Sequence, residues 1–250
     1  MISLPAMVTF AAVRKQSLSE SVFRQLHDKI VRQELKAGSE LPAERELAEQ
    51  LGVNRGALRE AIKRLQQAGL VAVRHGGNHV VLDYLEEGGL ELLPSLLVNP
   101  QGKLNNAVVR SIMAMRSSLA PDIAAGAARK PNPAVARELE EILAQMRVPG
   151  ASLKTLQGHA LAFWKKLVEH NGNVAFRLAF NSMTKTYTQV WNALTGILEK
   201  EFRDVDNLAA VADAVRAGQP EAARAAGRAH VEIGRQALER ALEAMGQKDA

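Results

Sequence analysis

The chain has 250 residues, 47% hydrophobic and 24% charged, which allows one or two folded domains and excludes wholesale disorder. It has no cysteine, which excludes disulfides and thiolate chemistry, and no apolar run long enough to span a membrane. A formal charge of +5 suits a nucleic-acid partner without demanding one, and only 4% aromatics argue against a base-stacking platform for single strands.

Residues 1–16 read as an N-terminal tail, too poor in charge and too short in its apolar part for a secretion signal. Ser17-Leu18-Ser19-Glu20 has capping-box spacing, and Val22, Leu26 and Ile30 then recur on one face of a first helix. Gly38 interrupts, and Pro42 opens a second helix through Glu44 to Leu51. After the break at Gly52-Val53, Asn54 caps a third helix from Arg55 to about Gln67, closed by Gly69. Leu58, Ala61, Ile62 and Leu65 form its buried face, and Arg55, Arg59 and Lys63 form a basic stripe on another.

Residues 70–83 carry the one clear β signal, two Val-rich runs around Gly76-Gly77-Asn78 that predict a hairpin. Helix-turn-helix followed by a hairpin is a winged helix-turn-helix, expected over 17–83, whose second helix enters the major groove of double-stranded DNA. A linker is expected at 84–89. From residue 90 to 246 the pattern is helical throughout, with helices predicted at 88–98, 103–129 (kinked at Pro121), 133–146, 153–170, 173–199, 203–217 and 220–245. The expected fold is mostly α, a winged reader followed by an all-α bundle.

Arginine's planar fork matches the two major-groove acceptors of guanine, so Arg55, in the first turn, is the expected base reader. Arg45 shares that role, with Arg59 and Lys63 on phosphate. Taken singly these residues have blander readings: Arg45 stands four residues before Glu49 and suits a surface ion pair, the stripe suits a solvated face, and His75 suits an exposed turn. Their convergence on one winged motif favours DNA.

Leu41-Pro42-Ala43-Glu44-Arg45-Glu46-Leu47-Ala48, Gly52-Val53-Asn54-Arg55 and Leu58-Arg59-Glu60-Ala61 resemble the signature of the GntR transcription factors, over about residues 18–82. The family usually has Ser-Arg-Thr-Pro-Val-Arg-Glu where this chain has Asn54-Arg55-Gly56-Ala57-Leu58-Arg59-Glu60, which leaves the operator sequence open. The wing tip Arg74-His75-Gly76 resembles the FadR branch. The resemblance implies DNA contacts from Arg45, Arg55 and Arg59, with His75 and Gly76 reaching the minor groove. Asn54, Gly56 and Lys63 are expected on the same surface.

The remainder resembles the FCD or FadR-type ligand-binding domain, anchored by Met115-Arg116, Phe163-Trp164, Asn171-Gly172-Asn173, Tyr187 and the stretch from Ala222 to His230. Most FCD domains hold a divalent metal with one aspartate and three histidines. By position these fall on Ala160, Trp164, Leu208 and His230, and one imidazole cannot make a metal site, so no metal or other cofactor is expected. FadR regulators also lack the metal. The resemblance therefore implies a fatty acyl-CoA or other lipophilic acid as effector, near Arg116, Phe163, Trp164, Tyr187 and His230. Val231-Glu232-Ile233-Gly234 departs from the FadR pattern around coenzyme A, with Arg224, Arg228 and Arg235 as compensating charge. Taken alone, the aromatics Phe163, Trp164 and Tyr187 read more readily as ordinary core.

The combined expectation is a cytoplasmic, homodimeric repressor on an inverted-repeat operator, with no membrane partner. A sensor of a small organic acid and a constitutive DNA-binding dimer remain open. The histidines and carboxylates have no spacing that demands catalysis, and no enzyme is expected.

Overall fold

The computed structural model of the protein describes residues 18–74, 78–97, 104–189 and 195–246. The chain divides into two compact units, Met1–Gly89 and Leu90–Ala250. The first holds α1 (Leu18–Val31), α2 (Glu44–Gln50), α3 (Arg55–Gln67), β1 (Val71–Val73), β2 (His79–Val81) and α4 (Tyr84–Glu87).

Helices α1 and α3 pack on each other, burying Val22, Leu26 and Ile30 of one and Leu58, Ala61, Ile62 and Leu65 of the other. A polar staple closes the same interface. Arg64 donates to Glu20 at 2.6 Å while its guanidinium lies 4.2 Å over the ring of Phe23. Asn54 caps α3 as expected, its side chain accepting from the Ala57 N–H at 2.8 Å. Gly69 ends the helix with φ +68°, and a side chain there would also overlap the Glu87 carbonyl.

Strands β1 and β2 pair antiparallel, Val71 opposite Val81 and Val73 opposite His79. The segment before α2 adds an edge that the alternation in sequence does not reveal. Glu40 bridges Val80, the Leu41 N–H donates to the His79 carbonyl, and the Val81 N–H donates to that of Ser39. Residues 1–17 and the wing-tip residues His75 and Gly76 lie outside the described residues. The segment read as a linker, 84–89, contains α4, a helical turn capped by Asp83.

The second unit contains a 3₁₀ turn (Leu90–Leu92), α5 (Leu93–Leu96), α6 (Asn106–Ala128), α7 (Pro133–Met146), α8 (Leu153–Asn171) and α9 (Val174–Gln189). It continues through α10 (Glu199–Phe202), α11 (Val205–Arg216) and α12 (Pro220–Gly246). Helix α12 runs against α6 on small residues. At Gly227 a Cβ would stand 3.2 Å from that of Ala124, and Ala120, Ala124, Ala127, Ala128 and Ala223 are all buried. The alanine richness of this half is thus a close helix–helix contact.

Two sequence expectations are corrected. The single helix expected at 88–98 is broken up, because Gly88-Gly89 and Pro94 leave room only for short turns. The helix expected at 173–199 is interrupted: residues 195–198 form a turn around Gly196 before α10 begins. Helix α6 runs through the buried Pro121 as one helix, in keeping with the single element expected at 103–129, and the proline removes one donor from the ladder.

Candidate nucleic-acid interface and ligand cavity

The exposed face of α3 presents Arg55 at its first turn and Lys63 two turns on. Neither has an ion-pair or hydrogen-bond partner among the described residues. Arg59 differs: its Nε donates to Glu44 of α2 at 2.7 Å. That bond holds the Glu44 carboxyl below its ordinary range, against the opposing effect of burial. Arg45 pairs with Glu49 at 3.1 Å, the surface pair that its spacing allowed. Asn54 serves as the helix cap, and Gly56 is exposed beside it. A free guanidinium at a helix N-terminus, flanked by the α3 amides, is suited to an anionic, acceptor-rich partner.

In the second unit, one face each of α6, α8 and α9 lines a part-open cavity of about 130 Å³. The helical period places the lining: Val109, Met113, Arg116 and Ala120 on α6, Gln157, Ala160 and Trp164 on α8, and Phe180, Met183 and Tyr187 on α9. Leu198, Glu201 and Phe202 close one side, and Leu97 closes another. The walls are chiefly apolar, and among the polar side chains Arg116 pairs with Glu201 and Gln157 with Tyr187.

Arg116 makes a two-pronged ion pair with Glu201, one arm at 2.8 Å. Its side chain is 25% exposed and that of Glu201 2%. Burial opposes the arginine's charge, but attraction and hydrogen bonding from Glu201 outweigh it and raise the pKa above the ordinary arginine value. Gln157, also buried, donates to the Tyr187 hydroxyl and accepts from Thr195 at 3.1 Å. Burial pushes the Tyr187 phenol up to about 12, with Gln157 and Arg116 opposing, so it stays protonated at neutral pH.

His230 lies behind this wall. Fully buried on α12, it places Nδ1 2.9 Å from Asp204, its Nε2 3.7 Å from Glu201, and its ring 6.1 Å from that of Trp164. Partial burial would raise the Asp204 carboxyl, but hydrogen bonds from His230 and Asn207 prevail and hold it below its ordinary range.

Of the expected effector residues, Arg116, Trp164 and Tyr187 line the cavity. Phe163 and His230 do not: Phe163 has no exposed surface and packs edge-on against Trp164 within the core. Arg116 is neutralised by its own acid. The compensating arginines are similarly committed, Arg224 to Asp122 and Glu221 and Arg235 to Glu232, while Arg228 is exposed. The Arg235 guanidinium and Gln236 draw the Glu232 carboxyl down to about 2. Ala160, Trp164 and Leu208 offer a divalent ion no donor, and among the described residues no group of three or more His, Asp or Glu side chains converges to hold one. The donor set does not fit the metal of most FCD domains.

Sequence reasoning missed Glu201, Gln157 and Asp204, whose partners Arg116, Tyr187 and His230 are distant in the chain. One signal was available for Glu201. Gly234 interrupts a good helical sequence, and a Cβ there would overlap the Glu201 carboxylate.

The family model for bacterial regulatory proteins of the gntR family matches residues 18–81, and that for the FCD domain matches residues 111–233. The HTH-type transcriptional regulator Mce2R of Mycobacterium tuberculosis is 36% identical over 226 residues, 90% of this chain and 93% of its own. A fatty acid metabolism regulator protein of Yersinia enterocolitica is 29% identical over 153 residues, 61% of this chain and 62% of its own. Among solved structures, Lar, which controls the expression of the Listeria monocytogenes agr system, has a TM-score of 0.57 at 17% identity, over 91% of this chain and 99% of that one, a likeness of fold. With its winged reader, its helical FCD domain and these relatives, the chain belongs to the GntR family of bacterial DNA-binding transcriptional regulators, in the FadR/FCD subfamily.

Proposed function

We propose that the protein is a homodimeric repressor whose paired α3 helices read an inverted-repeat operator, and whose helical unit senses a lipophilic effector of the fatty acyl type. Arg55 reads guanine in each half-site, Arg45 shares the reading, Arg59 and Lys63 hold phosphate, and His75 and Gly76 of the wing enter the minor groove. The observation that carries the effector reading is the part-open cavity with its chiefly apolar walls, on which Arg116 pairs with Glu201 and Gln157 with Tyr187. Similarity to a fatty acid metabolism regulator supports acyl chemistry. Apolar walls disfavour small dicarboxylates and sugar acids, which would exchange water for hydrocarbon.

The cavity is close in size to the apolar cavities of about 150 Å³ that hold benzene, so a long chain enters only by displacing side chains. Such displacement is a route to regulation. Leu97 lines the cavity and α5 packs on α9, and this stretch begins the second unit directly after the reader. An effector regulates only if it binds one functional state of the dimer better than the other.

The test is fluorescence anisotropy on a selected operator duplex, titrated with acyl-CoA of increasing chain length and with dicarboxylates. At saturating acyl thioester, operator affinity is expected to fall about tenfold or more, equivalent to about 1.4 kcal/mol. Release by dicarboxylates or sugar acids, and never by acyl thioesters, contradicts the proposal.

A further inference from the structure

Arg116 is the one cation among the described residues lining the cavity, and Glu201 already engages it through both arms of its guanidinium. The carboxylate is almost wholly buried, and the fold makes room for it: only a glycine at 234 leaves its seat open. The paired charges sum to zero, so a ligand carboxylate would bring an uncompensated negative charge into a poorly hydrated space beside Glu201. Trp164, on the same wall, is 7% exposed, and its indole Nε1 is itself buried without a hydrogen-bond partner among the described residues, so it offers a ligand carboxylate no counter-charge. The carbonyl or ether oxygen of a neutral ligand adds no charge beside Glu201.

Resting on the lipophilic reading above, we propose that Glu201 sets the charge class of the effector. The cavity takes lipids whose buried polar end is neutral, such as a thioester, ester, ketone or alcohol, and rejects the free carboxylate of the same chain. Arg116 then acts as a neutralised wall and not as a carboxylate clamp. Replacing Glu201 by its neutral isostere restores the positive charge and reverses the preference.

Calorimetric titration of methyl octanoate and of octanoate, at a pH where the acid is ionised, tests this on the full chain. The wild-type protein is expected to bind the ester at least about tenfold more tightly, and Glu201→Gln is expected to close or invert that gap. Equal affinities in the wild type, or tighter binding of octanoate, overturn the proposal, as does an unchanged gap in a folded Glu201→Gln protein. The wild-type ratio decides by itself if the variant does not fold. Failure of both compounds to bind the wild type overturns the lipophilic reading, and the proposal with it.

Discussion

Arg45 and Arg59 are paired with surface carboxylates, whereas Arg55 and Lys63 have no such partner among the described residues. Exposed pairs of this kind are worth about 0–1 kcal/mol, so a phosphate backbone can exchange them at little cost. Under the proposed reading, DNA phosphates take the place of Glu44 and Glu49 as partners of these two guanidinium groups. Asp204 presents the opposite case, a largely buried carboxylate whose bonds to His230 and Asn207 hold its pKa below the unfolded value. A depressed carboxyl contributes stability fully above the unfolded pKa of about 3.9, and the contribution fades as the pH falls through the folded value. Asp204→Asn is therefore expected to lose about 1–3 kcal/mol near neutral pH and to show a shallower decline in acid, measured by urea unfolding across pH. A variant that tracks the wild type at every pH contradicts the assignment.

Helix α3 has two tasks on two faces. Its apolar face builds the core with α1, and Leu65 has no exposed surface. Leu65→Ala is expected to destabilise the reader by about 2–5 kcal/mol in chemical denaturation, a loss under about 1 kcal/mol being the contrary result. This division was legible in the sequence because the cap, the apolar period and the basic stripe all act within a few residues along the chain. Asn54 and the Leu58-Ala61-Ile62-Leu65 face emerge in the structure where the local pattern puts them. What local pattern could not give is pairing across the chain. The partner of Arg64 is Glu20, that of Arg59 is Glu44, and that of Arg116 is Glu201, and no period links these positions. The break at 195–198 escaped for a related reason: apolar spacing persists through it, and Gly196 alone is a weak stop signal inside a helical run.

At the scale of the whole molecule, the winged reader and the helical FCD domain are separate compact units, each with its own core. The reader was identifiable from sequence because its chemistry is concentrated in one short, distinctive stretch. The second unit was identifiable only as a helical FCD domain, because its cavity is assembled from α6, α8, α9 and the turn before α10. Membership of the GntR family carries DNA binding, and the proposed manner is a symmetric dimer reading guanine with Arg55 from the first turn of α3. The most direct test is selection from a random-sequence duplex pool with the wild type and Arg55→Ala in parallel. The wild type should enrich an inverted repeat with guanine in each half-site. Arg55→Ala, with stability expected within about 0.5 kcal/mol of the wild type because the site is exposed, should lose that guanine preference and the associated affinity. Enrichment of the same repeat at the same affinity by Arg55→Ala would contradict the account.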